Sequence, residues 1–181
     1  MENNRNVVER FADGLCKVEK VIMVVFFLAM MIIMFVQVFA RYVLHTPLAW
    51  TEEVMRFSFI LASYFGAAVA THEHKHVVIN FLSLIVNKVT QDEKKQNVIY
   101  AFFDLIVDAA CFAFCLWLTV MMTNYSLDLA DKNQLSTAML FPMWYVGYGI
   151  SASFLLTSFH FALNTASSFK VFNNQRKGEA K

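Results

Sequence analysis

Glycine and proline are scarce in this chain, five and two in 181 residues. Strand-and-turn architectures need both for tight reversals, so an all-β fold is excluded. Three cysteines are too few for a disulfide framework. Cys111 and Cys115 stand four apart inside an apolar run and Cys16 near the start, and all three read as small apolar side chains. Charge is thin as well: 16% of residues are charged, against about 25% in an ordinary soluble domain. The 15 basic and 14 acidic residues nearly cancel, leaving a net charge of +1 and no basic surface for a nucleic acid.

What fills the chain instead is oil. Hydrophobic residues make up 58% of it, with 19 Phe and 10 Met. Residues 21–40, "VIMVVFFLAMMIIMFVQVFA", hold one polar member, Gln37. At about 1.5 Å per residue this run reaches about 30 Å, the thickness of a hydrocarbon core. Further runs cover 54–70, 98–122 and 139–163, the last with Pro142 in its first turn. Backbone in lipid must satisfy its own hydrogen bonds, so the expectation is an all-α integral membrane protein with four transmembrane helices. The first run exceeds a signal-peptide core of about 7–15 residues and reads as an uncleaved anchor.

Lys and Arg set the expected orientation. The tail 1–20, the loop 71–97 and the tail 164–181 carry twelve of them, whereas the other side holds only Arg41 and Lys132. Both termini are therefore expected in the cytoplasm, with 41–53 and 123–138 outside and Trp50, Trp117 and Trp144 near the outer boundary. Two segments look amphipathic but too short to span. In 6–20, Val7, Val8, Phe11, Leu15 and Val18 share a face, and within 76–90 Val78, Phe81, Leu82, Ile85 and Val89 do. Each fits a helix lying along the cytoplasmic interface or packed on the underside of the bundle.

The few charges gather at "FARYVLHTPLAWTEEVMRF", residues 39–57. Thr51 suits an N-cap, and Glu52 and Glu53 suit the first helical turn. Glu52 and Arg56 stand four apart and Glu53 and Arg56 three apart, spacings that allow surface pairs. Arg41, across a short hairpin, reads as a clamp onto Glu52 or Glu53. Asp104 and Asp108 share a face, with Asp108 expected near mid-membrane, where an ionisable group turns toward a bundle interior or a partner. In an antiparallel fourth helix, His160 falls near Asp104, and Ser153 or Thr157 near Asp108. Internal pairing, a contact with a partner and a place in an ion path are the three readings. The "HEHKH" run, His72 to His76, has histidines but no cysteine and reads as a solvated helix end, not a metal site. No phosphate loop, catalytic triad or other enzymatic arrangement is visible, and no cofactor is expected.

"QVFARYVLHTPLAWTEEVMRF", continued by "GAAVATHEHKHVVINFL", resembles the small membrane subunit, DctQ type, of tripartite ATP-independent periplasmic (TRAP) transporters. Arg41, Tyr42, Trp50, Thr51, Glu52, Glu53, Gly66, Ala67 and His76 match that pattern, and Asn80 departs from it where an Asp is usual. The resemblance implies an accessory subunit in a bacterial inner membrane. It would support a large membrane subunit in sodium-driven uptake of an organic acid, such as a C4-dicarboxylate or sialic acid, delivered by a periplasmic binding protein. The absence of an internal inverted repeat and of paired broken helices argues the same way, because a self-sufficient transport site is then hard to build. The alternatives are an autonomous four-helix transporter, which would place an acid in span one where none occurs, and a haem-binding membrane anchor, which would need facing histidines.

Overall fold

In the computed structural model the described residues are 7–46, 48–73 and 93–179. They form four helices: α1 (Val7–Tyr42), α2 (Ala49–Glu73), α3 (Glu93–Asp131) and α4 (Trp144–Glu179). All four are long and apolar enough to cross a membrane. No β-strand occurs among the described residues; one isolated bridge joins Leu135 to Pro142. The expected interfacial helix over 76–90, with His76, Val78, Phe81, Leu82 and Ile85, lies outside the described residues.

The helices pack as a row. α1 lies along α2, α2 along α4, and α4 along α3. Small residues permit the closest approaches, as expected where lipid supplies no hydrophobic drive between helices. A Cβ built on Gly147 would stand 2.3 Å from Ser126 Oγ, and one on Gly149 would stand 2.6 Å from Leu61 Cδ2. Glycine at these two positions lets α4 meet α3 on one side and α2 on the other. Hydroxyls add polar contacts to the α3–α4 seam: Thr123 Oγ1 and Ser151 Oγ are 2.6 Å apart, and Ser151 Oγ donates to Thr119 O at 3.3 Å.

Two sequence expectations change here. The tail 1–20 is not a separate interfacial helix, because α1 runs unbroken from Val7. Nor is the face of Phe11 and Val18 the packed one. These residues are 63% and 56% exposed, while Ala12, Cys16 and Glu19 are buried. Small and pairable side chains bring α1 onto its neighbours, and the bulky ones turn outward.

The register of α3 on α4 also differs. Ser168 Oγ donates to Asp108 Oδ2 at 2.9 Å, so Asp108 does not meet Ser153 or Thr157. Those two hydroxyls instead donate to Ile150 O and Ser153 O within α4. His160 takes a partner from α1 instead of Asp104. Ser168 follows His160 by about 12 Å of helix, so Asp108 lies that much nearer the C-terminal end of α4. The apolar part of α3 is longer than a bilayer is thick, so hydropathy alone does not set its depth. Trp117 sits about 9 Å along α3 from the Thr123–Ser151 contact.

Candidate functional site

The candidate site is the rim where the loop between α1 and α2 meets the loop between α3 and α4. Beyond the end of α1 at Tyr42, His45 takes the left-handed region, at φ 51°, and Thr46 N–H closes back on Ala40 O at 3.1 Å. α2 starts at Ala49, two residues before the expected cap. Thr51 is fully buried, and its hydroxyl donates to Leu48 O at 2.6 Å. It ties the first turn to the incoming chain and does not cap it.

α3 ends in a Schellman motif. Asn133 takes φ 45°, Asn133 N–H donates to Ala130 O at 3.0 Å, and Gln134 N–H donates to Leu129 O at 3.1 Å. Residues 134–143 then fold back as a small hairpin. Ser136 N–H donates to Phe141 O at 2.9 Å, and Met143 N–H donates to Gln134 O at 3.0 Å. Pro142 belongs to this hairpin, opposite Leu135, and α4 starts only at Trp144, later than the expected start at 139.

Glu53 closes the hairpin. Its Oε2 accepts from Ser136 Oγ at 2.7 Å and Met139 N–H at 2.9 Å, and its Oε1 accepts from Thr137 Oγ1 at 2.7 Å and Ala138 N–H at 2.9 Å. Four donors on two oxygens suit an ionised carboxylate, which has only acceptors to offer. Glu53 is buried, and through it the first turn of α2 fixes a loop more than 80 residues away in the chain. Next to it, Leu140 holds φ 53° with its side chain 67% exposed at the hairpin tip. A bulky residue at positive φ persists only where its surroundings hold it. The Glu53 bonds to residues 138 and 139 hold one side, and the Phe141 N–H bond to Ser136 Oγ, 3.2 Å, holds the other.

Glu52 faces the opposite way. Its Oε1 receives Arg41 Nη2 at 3.4 Å and Gln37 Nε2 at 3.2 Å, which joins α1 to α2 as an exposed clamp. Of the two carboxylates open to Arg41, Glu52 is therefore the one engaged. The pairs expected with Arg56 do not form: Arg56 is exposed, Glu52 is drawn to α1 and Glu53 into the hairpin. Trp50 stands partly exposed in the first turn of α2, and Trp144 stacks on Tyr145 at 3.6 Å between ring centres.

Beneath the hairpin lies a cavity of about 300 Å³ lined by Phe26, Val54, Phe57, Leu61, Phe141 and Tyr145. Its walls are almost wholly apolar, and an organic anion would find no counter-charge among these side chains. Among the described residues no three His, Cys, Asp or Glu side chains converge as a metal site.

At the other end of the bundle is a cluster that sequence reasoning missed. Glu19 and His160, each about 1% exposed, meet through His160 Nε2 at 3.0 Å from Glu19 Oε1 and 3.1 Å from Oε2. The His72 ring stands edge-on to His160 with centres 5.0 Å apart, and His72 Nε2 lies 3.3 Å from Asp13 Oδ1. Lys20 pairs with Glu73. Next to Lys20, Glu19 looks like one more solvated helix end; only its spacing with Ala12 and Cys16, on a face free of bulky residues, signalled burial. On α3, Asp108 accepts from Ser168 Oγ.

Two comparisons with known proteins bear on the chain as a whole. The pattern of the family described as "Tripartite ATP-independent periplasmic transporters, DctQ component" matches residues 30–171. The chain is also 32% identical over 88 residues to the sialic acid TRAP transporter permease protein SiaT of Haemophilus influenzae (strain 86-028NP). That match covers 49% of this chain and 14% of the relative, so the chain spans a small part of the relative's length.

Proposed function

Because the chain belongs to the family of DctQ components of tripartite ATP-independent periplasmic transporters and is a multi-pass inner-membrane protein, we propose that it is the fixed small subunit of such a carrier. In this reading it supports a large membrane subunit that carries an organic acid across with sodium, after a periplasmic binding protein has delivered it. In the same reading both termini face the cytoplasm, as the Lys and Arg balance of the loops favours, and the Glu53 hairpin meets the binding protein on the other side.

The observation that carries the reading is the Glu53 cradle. One buried carboxylate ties α2 to the α3–α4 loop with four hydrogen bonds, while Arg41 and Gln37 tie α1 to Glu52 beside it. A rim closed on itself in this way keeps its shape while a neighbour moves. The apolar cavity below it offers no charge to a travelling anion, which favours support over transport. An organic acid such as sialic acid or a C4-dicarboxylate fits the family, and the name of the relative in Haemophilus influenzae leans toward the first.

The test is co-expression with the chromosomal neighbours. A large membrane subunit is expected to co-purify, and sodium-dependent uptake in vesicles is expected only when both subunits and the binding protein are present. Solute movement by this chain alone overturns the reading, as does a terminal reporter that places the two ends in different compartments.

A further inference from the structure

Resting on the reading of this chain as one subunit of a carrier, we propose that the open face of α2 seats a spanning helix of the large membrane subunit, whose carboxylate meets Arg56. This face carries Arg56, Ile60, Ser63 and Ala67, which recur at spacings of four, three and four residues. Such a stripe is the seam along which two helices pack at a shallow left-handed angle. Other faces of α2 are taken. Glu52, Gly66 and Glu73 turn toward α1, and Leu61 and Tyr64 turn toward α4. Arg56, Ser63 and Ala67 stay exposed between the two neighbours.

Arg56 is the group that calls for a partner. It stands about 10 Å along α2 from Ala49, inside a helix long and apolar enough to span. A cation at that depth is costly in hydrocarbon and ordinarily faces a counter-charge. The two acids within reach on its own helix are engaged elsewhere, Glu52 by Arg41 and Gln37, Glu53 by the hairpin. Arg56 itself makes no ion pair or hydrogen bond among the described residues. A planar guanidinium fits a carboxylate through two parallel N–H bonds, which sets the chemistry of its partner.

A lipid phosphate is the competing source of negative charge, since the arginine stem can lift its head toward the membrane surface. It leaves the remainder of the face unexplained. Ser63 lies about 10 Å and Ala67 about 16 Å farther along the helix, beyond any headgroup that Arg56 would hold. Where this molecule meets acyl chains its residues are different: the outward side of α1 presents Val25, Leu28, Ile32 and Phe35. Ser63 and Ala67 offer an acyl chain little surface but let another helix come close. The Ser63 hydroxyl already donates to Phe59 O at 2.7 Å, so burying it leaves no donor bare. The face therefore suits a helix better than it suits lipid.

The experiment co-expresses the full chain with its chromosomal neighbours and measures the yield of large membrane subunit bound to it. Arg56→Glu sets like charge against like, and Ala67→Trp blocks close approach. Each is expected to lower the yield roughly tenfold or more, whereas Ile32→Trp on the outward side of α1 leaves it unchanged. Thermal unfolding of each variant alone in detergent should match the unaltered chain, because these side chains are exposed within it. Should a variant fail to fold, a benzophenone amino acid placed at Ser63 in the otherwise native chain decides. Irradiation is expected to join it to the large subunit, and the same group placed at Ile32 to lipid. Full yield from both folded variants, an equal loss from Ile32→Trp, or adducts at Ser63 only with lipid or a second copy of this chain overturn the inference and leave the subunit reading standing. No large subunit bound to the unaltered chain overturns both.

Discussion

Two buried glutamates, Glu53 and Glu19, sit at opposite ends of the same helix row and are held by opposite chemistries. Glu53 rests among four neutral donors, two hydroxyls and two amides, contributed by one loop. Glu19 rests against one histidine on a distant helix. The first arrangement spreads the negative charge over many weak partners that exist whatever the pH. The second concentrates it on one partner, a single buried imidazole. One end of the molecule is therefore held by several replaceable partners, the other by one.

The sharpest way to break this comparison is Glu19→Leu, which leaves His160 buried without its acceptor. The expected loss is about 3–5 kcal/mol, as for other broken buried pairs, and the double variant with His160→Leu should recover much of it. Thermal unfolding of the detergent-solubilised protein measures both. If the double variant is no better than the single one, the pair acts by packing, not by charge. Glu53→Ala comes next. Its four donors lie in a loop near the rim, where water can replace the lost oxygens in part, so the folded fraction should shift by on the order of tenfold. Limited proteolysis across 134–143 should accelerate in step, and Glu53→Gln should fall between, because its amide presents hydrogens to donors.

A third variant probes the scaffold shared by both ends. Gly147→Ala forces a methyl toward Ser126 Oγ and is expected to cost about 1–3 kcal/mol, with relief from Ser126→Ala. Smallest of all is Arg41→Ala. The Arg41–Glu52 pair is about half exposed on both sides, so its loss should cost about 0–1 kcal/mol and fade further in high salt. A large effect of Arg41→Ala on complex yield without any on stability would locate a partner contact at the rim.

Much of this architecture was legible in the residues. Four apolar runs predict four helices because lipid leaves the backbone no other choice. Arg41 and Glu52 announce their clamp because short hairpins bring such neighbours together. The missed features have a common cause: they depend on long-range register. Glu53 finds its donors more than 80 positions later, in a loop whose Ser and Thr look like ordinary linker residues. Asp108 reaches Ser168 because the apolar stretch of α3 is too long to declare its own depth. The face of α1 that packs is chosen by smallness and by a distant histidine, so a count of apolar side chains picked the wrong side.

The order of the row, α1 beside α2, α2 beside α4, α4 beside α3, leaves α1 as an outrigger. It is lashed at one tip by Gln37 and Arg41 and at the other by Glu19 and Lys20, and the side of its waist turned from α2, with Val24, Val25, Phe27 and Met31, is bare to acyl chains. A bilayer that thins or thickens presses a helix to tilt at a modest cost per ångström. Here such a tilt strains both lashings together, so the composition of the surrounding lipid is felt at the two polar ends before it is felt anywhere in the middle.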